Sequence, residues 1–172
     1  EQNAVAGTTN RLLAKIASKV LTAFPNNLKG AQCIGNPVRE AIEQLPAPEE
    51  RLLNRNHAVR VLVIGGSRGA LAINKLMPQV FSDLDVGCEL DIWHQAGEGK
   101  DAETIDAYLS LNEKEHVSAK VTAFIDDMSE ALAWADFVIC RAGALTVSEL
   151  AAAGLGSVLI PFPYAIDDHQ TE

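Results

Sequence analysis

Five short apolar runs recur at regular spacing from Val59 onward: "VRVLVI" (59–64), "ELDIWHQ" (89–95), "AKVTAF" (119–124), "DFVIC" (136–140) and "SVLIP" (157–161). Their length and their β-branched content suit strands buried in a sheet. Between them lie "ALAINKLMPQVFSDL", "DAETIDAYLSL", "MSEALAWA" and "LTVSELAAAG", with apolar residues near helical spacing. Strands alternating with helices require right-handed crossovers, hence a parallel sheet of the α/β, Rossmann-like class. In such sheets ligands collect beyond the carboxyl ends of the strands. The distinctive residues fall there: "GGSRG", "HQAGEGK", "IDDM", "RAGALT" and "PFPYAIDDHQ".

Upstream, "NRLLAKIASK" reads as a helix, and "KVLTAF" (19–24) and "AQCIG" (31–35) as short strands before the turn "GNPVRE". The proline-containing, mixed-charge stretch "QLPAPEERLLNRN" (44–56) reads as a linker. The expected organisation is thus 1–38 as the end of another domain, 39–58 as linker and domain entry, and 59–172 as the regular α/β domain. The opening "EQNAVAGTTN" starts as though in mid-element and "DDHQTE" stops in a loop or first helical turn, so a chain cut at both ends is expected.

With 48% hydrophobic residues in 172, the chain can bury a real core. Its net charge of -9 opposes general nucleic-acid binding, which needs a basic face. Cys33, Cys88 and Cys140 lack metal-ligand or disulfide-framework spacing and are expected to be buried, inert thiols in a reducing cytoplasm. No metal site is expected. No apolar run reaches the length of a membrane span, which leaves peripheral contact open.

The first glycine turn has competing readings. Gly65-Gly66-Ser67-Arg68-Gly69 matches the G-x-S-x-G nucleophile elbow, and Asp126 or Asp127 and then His169 follow in the order a hydrolase triad requires. The same residues form a phosphate loop, with close backbone approach, the Ser67 hydroxyl and the positive end of a helix. They also suit a purely structural turn. The spacing falls short of both a P-loop and a dinucleotide fingerprint.

In "RAGALTVSELAAAG" (141–154), Thr146 to Glu149 fits a capping box. Gly143 and Ala144 are small enough to admit a ligand to the backbone, and the Glu149 carboxylate could take two ribose hydroxyls. "DDHQ" (167–170) offers polar recognition of a sugar, Gln170 both donating and accepting, or a solvated loop. Arg39 of "GNPVR" could clamp a diphosphate or sit solvated in a turn. Trp93 and Trp134 read as core, and His94 is ambiguous.

Taken in order and spacing, "EQN" (1–3), "GNPVR" (35–39), "GGSRGA" (65–70), "FIDDM" (124–128), "RAGALTVSELAAAG" (141–154) and "PFPYAIDDHQ" (161–170) resemble one family over essentially the whole chain. It is the family of bacterial peptidoglycan glycosyltransferases that add N-acetylglucosamine to undecaprenyl-diphospho-muramoyl-pentapeptide, lipid I, to give lipid II. The resemblance displaces the hydrolase reading.

It implies a GT-B fold, two Rossmann-like domains facing across a cleft, with most of the carboxyl-terminal, donor-binding domain in this chain. It implies inverting transfer from UDP-N-acetylglucosamine to the C4 hydroxyl of lipid I, with no cofactor. The alternatives are a UDP-sugar transferase with another acceptor and a non-catalytic nucleotide-sugar-binding module. By motif, Asn3 would meet the donor sugar from across the cleft, Arg39 and Ser67 the diphosphate, and the Ile125 backbone the uracil. Ala144, Leu145, Thr146, Val147, Ser148 and Glu149 would line the uridine, with Glu149 on the ribose hydroxyls, and Gln170 would bond the sugar.

The family's candidate base belongs to an amino-terminal glycine-rich loop that this sequence lacks, so these residues alone are expected to bind donor weakly or not at all and not to turn over. The family also implies lipid I and other cell-wall synthesis proteins as partners, no nucleic acid, and a peripheral place on the cytoplasmic face of the inner membrane. Arg68 stands where the family commonly has Gln, and Gly156 where it usually has Pro, which should loosen that turn slightly.

Overall fold

The computed structural model describes residues 1–53, 55, 58–66, 70–84, 87–109, 111 and 116–162. A five-stranded parallel sheet organises residues 59–160: β3 (Val59–Ile64), β4 (Leu90–Gln95), β5 (Val117–Thr122), β6 (Phe137–Arg141) and β7 (Gly156–Ile160). Its order, β5-β4-β3-β6-β7, is that of a Rossmann half, with the chain reversing direction across the sheet at β3. Helices α4 (Leu71–Asp83), α5 (Asp101–Leu109), α6 (Met128–Trp134) and α7 (Ala144–Ala153) make the crossovers.

Strict alternation along β3 splits the core in two. Val61 and Val63 pack with Ile73, Met77, Phe81, Ile92 and Tyr108 on the α4–α5 face. Leu62 and Ile64 pack with Leu132, Val138, Leu150 and Leu155 on the α6–α7 face. Trp93 and Trp134 meet edge to face on this second side, ring centres 5.7 Å apart, half-buried against the core. Burying both faces of β3 is what its near-continuous apolar run requires.

Upstream, α1 (Thr8–Leu13) is shorter than the sequence pattern suggests, and β1 (Val20–Thr22) and β2 (Ala31–Cys33) form a separate parallel pair. The stretch read as a linker carries two short helices, α2 (Glu40–Glu43) and α3 (Pro48–Arg51), and packs onto the sheet domain. Ile42 is fully buried in the α6–α7 core. Arg51 donates to the carbonyls of Leu132 and Ala153, and Arg55 to those of Ala133 and Trp134 while pairing with Asp136. Both cations thus sit on the negative carboxyl ends of α6 and α7.

Two sequence expectations are corrected here. Only Cys140 is buried, whereas Cys33 and Cys88 are exposed because they lie outside the sheet core. Gly156 opens edge strand β7 opposite Phe137 rather than forming the turn, which Gly154 makes at φ 61°. The Leu155 N–H returns to the Leu150 carbonyl and that of Gly154 to Ala151, closing α7 as a Schellman motif.

His94 resolves as structural. It is fully buried, with Nδ1 3.0 Å from the Tyr108 hydroxyl and Nε2 3.1 Å from Asn74 Oδ1. Because Asn74 Nδ2 donates to the Ala96 carbonyl, its Oδ1 must accept, so Nε2 carries the imidazole proton and Nδ1 accepts from Tyr108. Burial lowers the His94 pKa to about 4.

A lowered histidine pKa makes the neutral form the folded one, so this stabilisation is complete above pH 6.5 and drains away as pH falls toward 4. Over that window it amounts to roughly 3 kcal/mol. Nitrogen-15 NMR should therefore show the Nε2–H tautomer persisting to pH 5.5; an imidazolium at that pH would refute the assignment. Tyr108→Phe strands Nδ1 and should cost about 1–3 kcal/mol in urea denaturation. At the α7 cap, a Cβ on Gly154 would lie 2.5 Å from Pro48 Cγ in a left-handed conformation. Gly154→Ala should accordingly destabilise by about 1–3 kcal/mol, and an unchanged melting temperature would show that the Pro48 contact yields freely.

Candidate functional site

The carboxyl ends of β3, β4, β5 and β6 converge on one cleft of about 660 Å³. Ile64 and Gly66 come from β3 and its turn, Gln95 from β4, Phe124, Ile125 and Asp126 from the β5 loop, and Cys140, Arg141 and Gly143 from β6 and its turn. Leu145, Thr146 and Glu149 of α7 close one side, with Arg39 over the entrance. The cleft lies where β3 and β6 diverge in chain order, the ordinary ligand crevice of an open parallel sheet.

Helix α7 presents its amino end here. Its N-cap is Gly143, with φ −78° and ψ 138°, and no side chain caps it. The first helical hydrogen bond runs from the Val147 N–H to the Gly143 carbonyl, so the preceding N–H groups face a crevice lined by Gly143, Leu145 and Thr146. The capping box expected at Thr146 is thereby corrected. The helix starts three residues earlier, because Gly143 takes the extended cap conformation and Ala144 already propagates the helix. Glu149 consequently lies inside α7, where it cannot reach back to a cap.

The Glu149 carboxylate is 6% exposed, with Oε1 3.3 Å from Arg39 Nε. This oxygen is within ion-pair distance but, among the described residues, has no partner in hydrogen-bond geometry. Burial raises the Glu149 pKa, and Arg39 partly opposes the rise. A buried carboxylate with one oxygen unmatched is costly to fold and well suited to accept paired hydroxyls. Asn36 fixes the helix beside it: its Nδ2 donates to the Ala144 carbonyl (3.3 Å) and to Ser148 Oγ (3.0 Å). Ser148 Oγ in turn donates to the Ala144 carbonyl at 2.9 Å, so this hydroxyl is already engaged.

In the β5 loop, Asp127 caps α6, accepting from the N–H groups of Ser129 (2.9 Å) and Glu130 (3.1 Å) and from the Ser129 hydroxyl. The Ser129 hydroxyl, then the Glu130 and Ser129 N–H groups, and Arg39 nearby, hold its carboxyl below the usual range. That commitment removes Asp127 as a triad acid. Ile125, 5% exposed, lines the cleft, and its backbone N–H and carbonyl have no hydrogen-bond partner among the described residues. Phe124 beside it is half-exposed.

The structure thus gathers Arg39, Ile125, Leu145, Thr146 and Glu149 at one site, with Ala144, Val147 and Ser148 on the helix that walls it. Asn3 does not line the cleft; its backbone N–H and side chain both donate to Glu1 Oε1. Ser67, His169 and Gln170 lie outside the described residues, as does Arg68. Among the described residues no cluster of metal-ligating side chains occurs.

Sequence reasoning missed Gln95 and Arg141. Gln95 Nε2 donates to the Gly66 carbonyl at 3.2 Å, and Arg141 donates to the Pro161 carbonyl at 3.0 Å while lying over the Phe162 ring. Their only signal was position at a strand's carboxyl end.

Arg39 opposes the burial-driven rise at Glu149, so Arg39→Ala should raise the Glu149 pKa further. Carbon-13 NMR titration of the carboxyl reads this directly; an unchanged or lower value would mean that the pair does not interact in solution.

A family model for the glycosyltransferase family 28 C-terminal domain matches residues 60–172. Two curated relatives carry the name UDP-N-acetylglucosamine--N-acetylmuramyl-(pentapeptide) pyrophosphoryl-undecaprenol N-acetylglucosamine transferase. The one from Saccharophagus degradans is 52% identical over all of this chain and 43% of its own length. The one from Cronobacter sakazakii is 53% identical over 95% of this chain and 45% of its own. The crystal structure of Acinetobacter baumannii MurG is similar with a TM-score of 0.83 and 38% identity, over 99% of this chain and 47% of that one. The chain spans less than half the length of the relatives it matches. With a Rossmann-like sheet, a cleft at its switch point and this match over most of its length, the chain belongs to glycosyltransferase family 28 and carries its C-terminal domain.

Proposed function

We propose that the complete protein transfers N-acetylglucosamine from UDP-N-acetylglucosamine to the C4 hydroxyl of lipid I, forming lipid II, and that this chain carries mainly the donor site. The observation that carries the reading is the pairing, in one cleft, of a buried and incompletely bonded Glu149 with the uncapped amino end of α7. One accepts hydroxyl donors and the other accepts an anion. The names of the two curated relatives supply the sugar and the acceptor.

In this reading residues 1–38 end the acceptor-side domain, 39–58 lead into the donor domain, and 59–172 form most of it. The free N–H and carbonyl of Ile125 hold uracil, and Glu149 holds the ribose hydroxyls. The first turn of α7, residues Ala144 to Ser148, walls the uridine. Arg39, whose Nη groups remain beyond its Glu149 contact, meets the diphosphate together with Ser67. Gln170 and, from the facing domain, Asn3 meet the sugar.

Displacement at the anomeric carbon expels UDP, so charge grows on the diphosphate as the bond breaks. Fixed N–H dipoles and Arg39 stabilise that charge without reorganising. The acceptor hydroxyl needs a general base, which the family places in the acceptor-side domain. Lipid I places the reaction at a membrane, on the cytoplasmic face. Among the described residues no helix is long and apolar enough to cross one, and peripheral association fits. Other cell-wall synthesis proteins belong to the same proposal as partners.

Calorimetry on the complete protein tests the assignment. Glu149→Ala should weaken both UDP and UDP-N-acetylglucosamine by about 10- to 100-fold, the loss of charged hydrogen bonds. Gln170→Ala should weaken the sugar nucleotide while sparing UDP. Failure of the unaltered protein to bind either ligand would remove the proposal.

A further inference from the structure

Gln95 ends β4 between Ile64 of β3 and Thr122 of β5, in the centre of the cleft floor. It is 2% exposed, yet it lines the cleft. Its Nε2 donates to the Gly66 carbonyl, and this fixes the amide's orientation, since a flipped amide would set oxygen against oxygen. Its Oε1 is buried and has no partner among the described residues. An amide oxygen left bare in this way carries an uncompensated desolvation penalty, which a native fold tolerates where a ligand supplies the donor.

The surroundings keep this oxygen in place. On one side the Ala96 N–H bonds the Thr122 carbonyl and the Gly97 N–H that of Ala123. On the other, Asn74 grips the Ala96 carbonyl as part of the His94–Tyr108 chain. Gly66 itself sits at φ 88°, a conformation that suits glycine alone. Gln95 therefore has one amide group committed to the glycine turn and the other, Oε1, unpartnered among the described residues, on a side chain that lines the cleft.

We infer that Gln95 is a nucleotide-binding residue of the donor site, its Oε1 accepting a hydrogen bond from the nucleotide moiety rather than from the sugar. The inference rests on the nucleotide-sugar reading above and adds a contact to it. Lining the same cleft are Ile125 and Glu149, the groups assigned to base and ribose, and Gly66, which precedes Ser67 in the glycine turn. An ionised diphosphate has no proton to donate. UDP's donors are the uracil N3–H and the two ribose hydroxyls, so Gln95 Oε1 shares one of them, the N3–H with the Ile125 carbonyl or a ribose hydroxyl with Glu149.

The test uses the complete protein, UDP, and three analogues that each lack one donor: 3-methyl-UDP, 2′-deoxy-UDP and 3′-deoxy-UDP. Gln95→Met keeps side-chain length and removes both amide groups. It should weaken UDP by about fivefold to tenfold. For one of the three analogues that deficit should disappear, identifying the donor. Gln95→Glu keeps an acceptor but loses the grip on Gly66, and separates the two halves of the amide.

A Gln95→Met protein that melts lower yet binds UDP normally would overturn the inference and leave Gln95 as a structural prop of the glycine turn. An equal deficit for UDP and all three analogues would overturn it too. If the unaltered protein binds no UDP, the donor-site reading fails first, and that outcome is distinct from both.

Discussion

The pairing of β3 on both edges is the constraint from which the site follows. Its register sets Ile64 beside Gln95 on one side and beside Cys140 on the other, so three strands end at one level. All neighbours being parallel, every following loop leaves from the same edge of the sheet. Gly66, Gln95 and the turn before α7 meet because of that register alone. A slip by one residue would reverse the faces of Val61, Leu62, Val63 and Ile64, exchanging residues between two cores of different shape. The geometry of the cleft is therefore as strongly specified as the hydrophobic core.

Helix α7 is held at both ends by the segment between residues 36 and 55. Asn36 and Arg39 bind near its amino end, at Ala144, Ser148 and Glu149. Ile42 fills the core beneath it, and Arg51 and Pro48 meet its carboxyl end at Ala153 and Gly154. A ten-residue helix has little stability of its own in water, so these contacts and the sheet determine where its amino end points. The direction of the α7 dipole is thus set in part by residues outside the sheet domain's regular pattern.

The sheet was legible in the sequence because apolar periodicity is dictated by burial, and "VRVLVI" marks β3 to the residue. Edges were less so. The β5 strand runs from Val117 to Thr122 rather than 119 to 124, since pairing with Leu90 and Asp91 recruits Val117 and Ser118, while Phe124 lies beyond the strand and lines the cleft. The short helices at Glu40 and Pro48 were hidden because a proline-rich, charged composition resembles a linker whenever its few apolar residues are too sparse for periodicity. Likewise, motif resemblance marked Glu149 as a candidate and it lines the cleft, but its removal from the cap depended on where Gly143 let the helix begin. Gln95 carried no local signal, being one amide at the end of an alternating strand.

The chemistry of the unsatisfied atoms ties these features together. Among the described residues, the buried side-chain atoms without partners include three oxygens, Asn36 Oδ1, Gln95 Oε1 and Glu149 Oε1. Two line the cleft, and the third belongs to the residue that pins α7. The same cleft also holds backbone donors, the Ile125 N–H and the first turn of α7. A cleft with bare acceptors at one place and bare donors at another is complementary to a ligand carrying hydroxyl protons at one end and anionic oxygens at the other. Water can satisfy either set singly, but only a ligand with that polarity releases both desolvation penalties in one binding event. A ligand of that polarity would recover selectively the energy the fold forgoes at Gln95 and Glu149, and the incompleteness of these hydrogen bonds would then be a source of discrimination.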